Sequence, residues 1–535
     1  MSAPFSTNRS SSPRREARSG PSSTLARPAN SLSAVLAADR LNAIEVLSFL
    51  GTSIAPLAVI AGAISTGWAV TGVTGFPLAF LIVGAALALF TVGYVAVAQH
   101  LRNAGAFSAY ISAGLGRPFG VAAAFVAIAA YAGMNLSIYG MLSATMSSFI
   151  NDKVGLNLSW WVWALIVLVV VGALAVLRVD LNGKVLAWAL AAELILVVIV
   201  DVVNVAHPLG GHVSFTTWTP SSLSGTGLGV ALVIALNGFV GFESAAVFSE
   251  EAKEPARTVR RATFLALGVM TVLYAVSAWA MSVTIGPENL AAVAAKEGPN
   301  LPFVTVAGVA GGNILLDAGQ VLFMSSLFAS ILAFHNTTSR YAFALGREHV
   351  LPSFLGRTWP RTNAPRTASL VLSAIGLVVI LGYAAAGADP VVQLFFWVTT
   401  TASFGVLALI TATSFAVIGY FARNRRHRAS IWESLVAPLL AGLLLLVAMW
   451  QILDAFSGLL GVKPDDPLRW ALPGAFLVLA VLGVLWALIL RVSRPDIYRQ
   501  IGLGGPASSL TMSLQTNLPP QEEQPPTNPW TGAGR

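Results

Sequence analysis

The fold of this chain is decided by two stretches that interrupt long apolar runs, Gly51-Thr52-Ser53-Ile54-Ala55-Pro56 and Asn237-Gly238-Phe239-Val240-Gly241-Phe242-Glu243. In the first stretch, Pro56 removes a backbone donor, and its ring clashes with the preceding helical turn. In the second, two glycines loosen the helix, and Glu243 follows in what would otherwise be hydrocarbon. Each stretch therefore predicts a helix that is broken midway across a membrane.

The sequence around the two stretches is apolar enough for a membrane protein. Of the 535 residues, 56% are hydrophobic and only 10% are charged, whereas a soluble domain carries about 25% charged residues. Windows such as 158–177 and 470–490 contain no charge, and about 20 such residues span the hydrocarbon core of roughly 30 Å. The sequence predicts an all-α integral membrane protein with twelve helices: 44–69, 75–99, 118–148, 158–178, 184–205, 226–249, 262–286, 313–345, 368–387, 391–421, 432–455 and 470–491.

The two ends of the chain differ from this apolar centre. Residues 1–40 are rich in Ser, Pro and Arg, and residues 496–535 are rich in Pro, Gln and Ser. Such segments bury too little apolar surface to fold, so both are predicted to be disordered cytoplasmic tails. No secretory signal peptide is predicted in the first tail. Residues 41–425 form the predicted ten-helix transport core, and residues 426–495 add two helices.

The basic residues predict the orientation. With the N-terminus in the cytoplasm, the twelve helices leave 27 of the 31 Lys and Arg residues on the cytoplasmic side. The four outside are Lys153, Lys296, Lys463 and Arg469. This bias is typical of membrane proteins and accounts for the net charge of +8 without a nucleic-acid partner. Together with the Arg- and Ala-rich composition, it predicts a multi-pass protein of a bacterial cytoplasmic (inner) membrane, with both termini cytoplasmic.

The two breaks are the candidate substrate site. Broken helices at membrane depth are tolerated where they line a cavity, and their free ends bind charged groups. Simple kinks or close helix packing would be the structural alternative. The pairing favours function, because the breaks fall in the first and sixth helices, which are equivalent positions of two inverted five-helix halves. The predicted substrate-binding residues are Thr52, Ser53, Ile54, Ala55, Pro56, Asn237, Gly238, Phe239, Val240, Gly241 and Phe242.

Two acids and three serines are candidates for ion coupling. Glu243 lies beside the second break, and Glu193 lies near the middle of the fifth helix. A carboxylate at the bilayer centre costs roughly 2.5–3.5 kcal/mol on insertion scales. Both acids are predicted to couple protons or hold a cation; for Glu193, the alternative is a protonated acid in one interhelical hydrogen bond. Ser325, Ser326 and Ser330 could offer oxygens to sodium, although serines in membrane helices commonly bond the backbone.

Other function classes find little support. The chain has no cysteine, which excludes disulfides and thiol chemistry. The six histidines are scattered, so neither a metal site nor the clustered residues of an enzyme are predicted. No prosthetic group is expected. A channel would need a polar stripe or charge ring along a pore, and none is evident.

Three motifs in chain order resemble those of one transporter family. They are Gly105-Ala106-Phe107-Ser108-Ala109-Tyr110, the run from Gly238 through Glu243 to Glu254-Pro255, and Ser339-Arg340 with Ala344-Leu345-Gly346-Arg347. The chain resembles the amino acid–polyamine–organocation (APC) permeases over about residues 40–425 and two further helices. Without this resemblance, the mixed charges of residues 249–258 would indicate only a solvated loop.

The resemblance implies a LeuT-type five-plus-five inverted repeat with two additional helices and a midplane site. It also implies a secondary transporter that moves an amino acid by alternating access, with a proton as the expected coupling ion. Glu243 matches a family acid implicated in proton coupling. The alternatives are a polyamine or amine carrier, an exchanger, or a non-transporting nutrient sensor. Ile54 and Pro56 depart from the small residues that are usual in the first break, and the oligomeric state is left open.

Overall fold

The computed structural model describes residues 36, 40–101, 103–177, 179–224, 227–310, 314–359, 361–424, 426–427 and 429–503. In these ranges the chain is mainly helical and has no extended strand; an isolated β-bridge joins Leu41 and Ala252. The predicted tail 1–40 lies outside the described residues except for Leu36 and Arg40, as do residues 504–535 of the second tail.

Among the described residues, eleven helices are long and apolar enough to cross a membrane, and a twelfth apolar helix is shorter. The eleven are Ala43–Thr71, Phe76–Ala98, Arg117–Val154, Asn182–Ala206, Leu228–Phe248, Pro255–Ile285, Leu316–Arg347, Arg366–Ala385, Pro390–Arg423, Trp432–Leu460 and Leu468–Ser493. The shorter helix, Trp160–Ala175, is the fourth in order, and its 16 residues are fewer than the predicted 158–178. Taken together, the twelve helices confirm the predicted all-α membrane fold, and they are called spans 1 to 12 below.

Local sequence explains where the first span begins. Asn42 caps it: its side-chain oxygen accepts bonds from the backbone N–H groups of Ile44 and Glu45 at 2.9 and 3.0 Å. The Glu45 carboxylate accepts the Asn42 N–H at 2.8 Å in return, which completes a capping box. This cap sets the start of the helix that ends at the break in residues 51–56.

The third span is central to the packing. It lies against the eighth, tenth and twelfth spans, while the second span packs on the seventh and the first contacts the fifth, seventh and eighth. The ninth, eleventh and twelfth spans bury the least of their surface within the protein. The two broken spans are thereby enclosed, whereas the two additional helices lie largely at the periphery.

The predicted start of the second tail differs from the structure. Residues Pro495–Gln500 form a short helix, and Ile501 is only 4% exposed. Ile501 packs with Leu345, Val350 and Leu490, and the Gly502 N–H donates to Glu348 at 3.0 Å. The folded part therefore extends beyond residue 496, because an apolar residue that composition could not single out is anchored on the ends of the eighth and twelfth spans.

Candidate functional site

The first break divides the first span after Ile54. Helix Ala43–Ile54 ends at Ala55, whose φ of 51° and ψ of 72° are left-handed values that are uncommon for a residue with a Cβ. Pro56 then opens the next helical segment, which continues as a π-helix over Val59–Ile64. Such π-helical turns are frequent at functional sites. The interruption that Pro56 predicts is thus present at the expected position.

The hydroxyl groups at this break are occupied by backbone. Thr52 donates to the carbonyl of Ser48 at 2.6 Å, and Ser53 donates to that of Phe49 at 2.7 Å. The Ser53 carbonyl itself accepts the hydroxyl of Ser330 from the eighth span at 3.2 Å. These bonds tie the end of the first half-helix to its neighbours, and they leave backbone groups and apolar side chains to face a substrate.

The second break divides the sixth span in the same way. Helix Leu228–Asn237 ends, and a 3-10 helix begins at Phe242. Gly241 lies between them with φ of 115°, a value that favours glycine. A Cβ added at Gly241 would lie 2.6 Å from the Cβ of Ser53. The two breaks are therefore in direct contact, and glycine is required both by the backbone conformation and by this approach.

A cavity of about 170 Å³ lies at the junction of the two breaks. No charged side chain is among its lining residues, which come from the first, third, sixth, eighth, tenth and eleventh spans. Its polar side chains are Ser53, Thr66, Asn237, Ser330, Thr399 and Thr400. Its larger apolar side chains include Ile54, Met134, Met141, Phe323, Phe395 and Phe396. The site is thus a small apolar chamber with a few neutral polar groups, as small-molecule sites usually are.

Six of the eleven predicted substrate residues line this cavity: Ser53, Ile54, Ala55, Asn237, Gly238 and Val240. The other five, Thr52, Pro56, Phe239, Gly241 and Phe242, lie outside the lining. Phe239 packs against Phe80 and Tyr274, and Phe242 packs edge-on against Phe90. The two phenylalanines therefore fix the broken sixth span on the second and seventh spans and do not face the chamber.

Glu243 is buried behind the second break and is also absent from the cavity lining. One carboxylate oxygen accepts a short hydrogen bond from the Tyr131 hydroxyl, and the other accepts the Gly241 N–H at 3.0 Å. The Tyr94 hydroxyl donates to the Glu243 carbonyl at 2.7 Å. Because Gly241 also contacts Ser53, which lines the cavity, a single glycine connects the carboxylate to the cavity wall.

Glu193 is buried apart from Glu243 and does not line the cavity. It is fully buried, close to the Ser326 side chain and the Leu57 backbone. Neither carboxylate oxygen, nor the Ser326 hydroxyl, has a well-formed hydrogen bond with a described residue. Ser325 instead donates to the Leu322 carbonyl at 2.8 Å, and the Ser330 hydroxyl donates to the Ser53 carbonyl in the first break. The three serines therefore have three different surroundings, and sodium binding by them stays a prediction.

The cavity approaches one face of the protein, and buried ion pairs close the other. Val70 and Leu459, at the far ends of the first and eleventh spans, belong to the lining. On the face at which the first span begins, called the closed face below, Arg340 forms a two-pronged pair with Glu251, and both side chains are 1% exposed. Arg347 binds Glu250 in the same manner at 2.6 and 2.8 Å. Residues 249–252 are accordingly not a solvated loop, because arginines of the eighth span hold the carboxylates of Glu250 and Glu251, whereas Lys253, Glu254 and Arg257 are exposed.

Sequence reasoning missed the third and tenth spans as walls of the cavity. Met134, Met141, Phe395 and Phe396 are apolar residues within apolar helices, so composition carries no signal for them. Tyr131 could have been found, because a tyrosine at mid-span needs a hydrogen-bond partner, and a buried glutamate is the obvious one.

Comparison with known proteins then gives the family. A family model described as "Amino acid permease" matches residues 41–499. The chain belongs to the amino acid permease family. The match begins at the start of the first span and reaches the short helix after the twelfth, so it includes both breaks, the cavity and the closed face.

Individual relatives of this permease match over shorter stretches. An uncharacterised transporter of Mycobacterium tuberculosis is 36% identical over 137 residues, which are 26% of this chain and 30% of that protein. The branched-chain amino acid permease BcaP of Lactococcus lactis is 25% identical over 37% of this chain and 41% of its own length. The low-affinity putrescine importer PlaP of Escherichia coli is 26% identical over 42% and 47%, respectively. The matches to these three relatives thus span about a third to a half of the relatives' lengths.

Proposed function

We propose that this permease imports neutral amino acids with apolar side chains by alternating access, across a bacterial cytoplasmic membrane and with both termini inside. The observation that carries the proposal is the cavity between the two broken spans, which is small and lined by no charged side chain. The half-helix ends supply dipoles for the charged amino and carboxylate groups. The apolar wall then suits an uncharged side chain.

The charge of the wall favours this substrate class over a polyamine. The relatives include proteins named for branched-chain amino acids and for putrescine, so family membership does not decide between them. A second ammonium group in an apolar site would need a carboxylate partner, because burying an unpaired charge is costly. Glu193 and Glu243 are the buried acids nearest the breaks, and neither lines the cavity.

Proton coupling is proposed to act through Glu243. The carboxylate receives donors from Tyr131 and from Gly241, and Gly241 lies against the first break. Protonation would exchange an accepting oxygen for a donor, which changes the hydrogen bonds that hold the second break against the third span. Glu193, which lies beside the second half of the first span, is proposed as a second site for the proton.

The proposal predicts a specific pattern of uptake. Purified protein in liposomes, under an inward proton gradient, should accumulate leucine or phenylalanine, and unlabelled lysine or putrescine should not compete. Accumulation of putrescine or lysine in place of the apolar amino acids would overturn the proposal in favour of an amine carrier.

Counterflow into preloaded liposomes separates the remaining alternatives. Uptake that occurs only into liposomes preloaded with amino acid would indicate an exchanger. Binding of leucine without either uptake or counterflow, in protein whose folding is verified by a cooperative thermal transition, would indicate a sensor. Either result would contradict the proposed import.

A further inference from the structure

We propose that the seventh span binds an anionic phospholipid, whose phosphate is held by Arg257, Arg260 and Arg261 and whose acyl chain lies in the groove between the fifth and seventh spans. This site would lie on the lipid-facing surface of the protein, apart from the cavity between the two breaks. A basic cluster, an apolar groove, and the continuity of the two support it.

The three arginines share one face of the seventh span. Their spacing of three and four residues places them together at the N-terminal end of helix Pro255–Ile285. They line a surface depression together with Phe264 and Leu265. All three side chains are exposed, and the only ion pair that a described residue makes with them is the exposed contact of Arg257 with Glu254 at 3.4 Å. Exposed pairs of this kind are weak, so the guanidinium groups remain available to a phosphate.

An apolar groove continues from this cluster along the membrane surface. Phe264 and Leu265 belong both to the depression under the arginines and to the groove. The groove runs on between Val198, Asp201 and Val202 of the fifth span and Gly268, Val269 and Val272 of the seventh. Asp201 is the single acid in this lining, and its buried carboxylate accepts the Ser277 hydroxyl at 2.7 Å. Gly268 provides its open floor, because a Cβ added there would meet no atom within 4 Å.

The dimensions of the groove suit a lipid chain. From Leu265 to Val276 the seventh span advances eleven residues, which is about 17 Å at 1.5 Å per residue. One leaflet contributes half of the hydrocarbon thickness of roughly 30 Å. In the proposed orientation, the arginines lie at the cytoplasmic surface, where basic residues attract anionic head groups. The site thus matches a phosphate and a hydrocarbon chain in the order in which a phospholipid presents them.

The arginine cluster is tested with purified protein in a neutral detergent, to which phosphatidylglycerol or phosphatidylcholine with the same acyl chains is added. Phosphatidylglycerol should raise the Tm more than phosphatidylcholine, because a ligand that binds the folded state stabilises it. Arg260→Gln with Arg261→Gln should abolish the difference. Arg491→Gln with Arg494→Gln, two exposed arginines at the end of the twelfth span, removes the same charge and should preserve most of it.

A second variant tests the groove while keeping the arginines. Gly268→Phe fills the open floor and should reduce the effect of phosphatidylglycerol, whereas Gly268→Ala should leave it intact. Native mass spectrometry of the same samples should show one retained anionic lipid that is lost in Gly268→Phe.

Three outcomes would overturn the proposal. One is an equal response to the two lipids in the wild-type protein. Another is a response that survives both the Arg260/Arg261 and the Gly268→Phe changes. A Tm shift of the same size with inorganic phosphate alone would indicate a free-anion site that does not need an acyl chain.

Discussion

The cavity between the two breaks and the closed face differ in whether they contain charged side chains. The chamber has no charged side chain in its lining, whereas the closed face buries Arg340 and Glu251 as a pair. The sixth and eighth spans contribute to both regions: they supply part of the cavity wall at mid-span, and Glu251 and Arg340 lie near or just beyond their C-terminal ends. Under the proposed function, recognition would depend on helix ends and apolar contacts, and closure on ion pairs.

This division has a physical reason. A charge in the chamber would have to be desolvated each time that the substrate binds, and it would favour only oppositely charged ligands. The pair on the closed face has a partner as long as that face stays shut. Under the proposed alternating access and orientation, opening this face would separate and hydrate Arg340 and Glu251, so the pair would help to set the free energy of the inward-open state.

The largest expected effect comes from breaking the buried pair. Arg340→Ala leaves Glu251 buried without its partner, and removing one member of such a pair costs about 3–5 kcal/mol. Thermal unfolding in detergent should show a large drop in Tm, with loss of transport. Lys296→Ala, which removes an exposed pair with Glu297, is the control and should change the Tm little. A wild-type Tm in Arg340→Ala would contradict the role assigned to the closed face.

The next effect concerns the acid between the two regions. Glu243→Gln cannot gain and lose a proton, so uptake driven by a pH gradient should stop while counterflow persists. A gradient of about one pH unit stores about 1.4 kcal/mol per proton, which is a factor of about ten in substrate concentration. The measurement is the steady-state accumulation ratio in liposomes, which should fall from about ten to about one.

Glu193→Gln is the matched comparison for this prediction, since it removes the other buried acid near the breaks. Full accumulation by Glu243→Gln together with its loss in Glu193→Gln would move the coupling role to the fifth span. Full accumulation by both variants would remove protons from the mechanism at these two positions.

The sequence alone predicted the helices and their breaks better than it predicted the residues that line the cavity. The twelve helices and both breaks follow from local signals: charge-free windows, Pro56, and the two glycines beside Glu243. The cavity walls do not, because nothing distinguishes Met134 or Phe396 from other apolar residues of a membrane helix. Which side of a helix faces a cavity is decided by its tertiary neighbours.

For the charged segments, too, composition does not predict which side chains are buried. Residues 249–258 have the composition of a solvated loop, yet Glu251 is buried because Arg340 lies 89 residues away in sequence and adjacent in space. A partner at that separation cannot be read from either segment by itself. The family resemblance pointed to both motifs, but only the structure shows that they bind each other.

A smaller effect is expected from reshaping the chamber. Ile54→Ala removes apolar volume from the wall beside the first break. Since a methylene group in an apolar pocket changes discrimination by about 10-fold or more, the relative uptake of phenylalanine over valine should rise by about tenfold. Ile60→Ala is the control, because Ile60 is buried in the same span and does not line the cavity. Equal changes in preference in both variants would place the substrate elsewhere.

The smallest effect is expected outside the membrane, where the His100 and His427 rings stack at 4.2 Å on the closed side. Burial, and then the neighbouring His427, lower the pKa of His100 from its usual value of 6.5. A base with a lowered folded-state pKa binds its proton more readily when unfolded, so stability falls as the pH drops below about 6.5. The Tm should therefore decline slightly between pH 7.5 and 5.5, and His100→Gln should reduce that decline. An identical decline in the variant would show that the acid sensitivity of the folded state arises from groups other than His100.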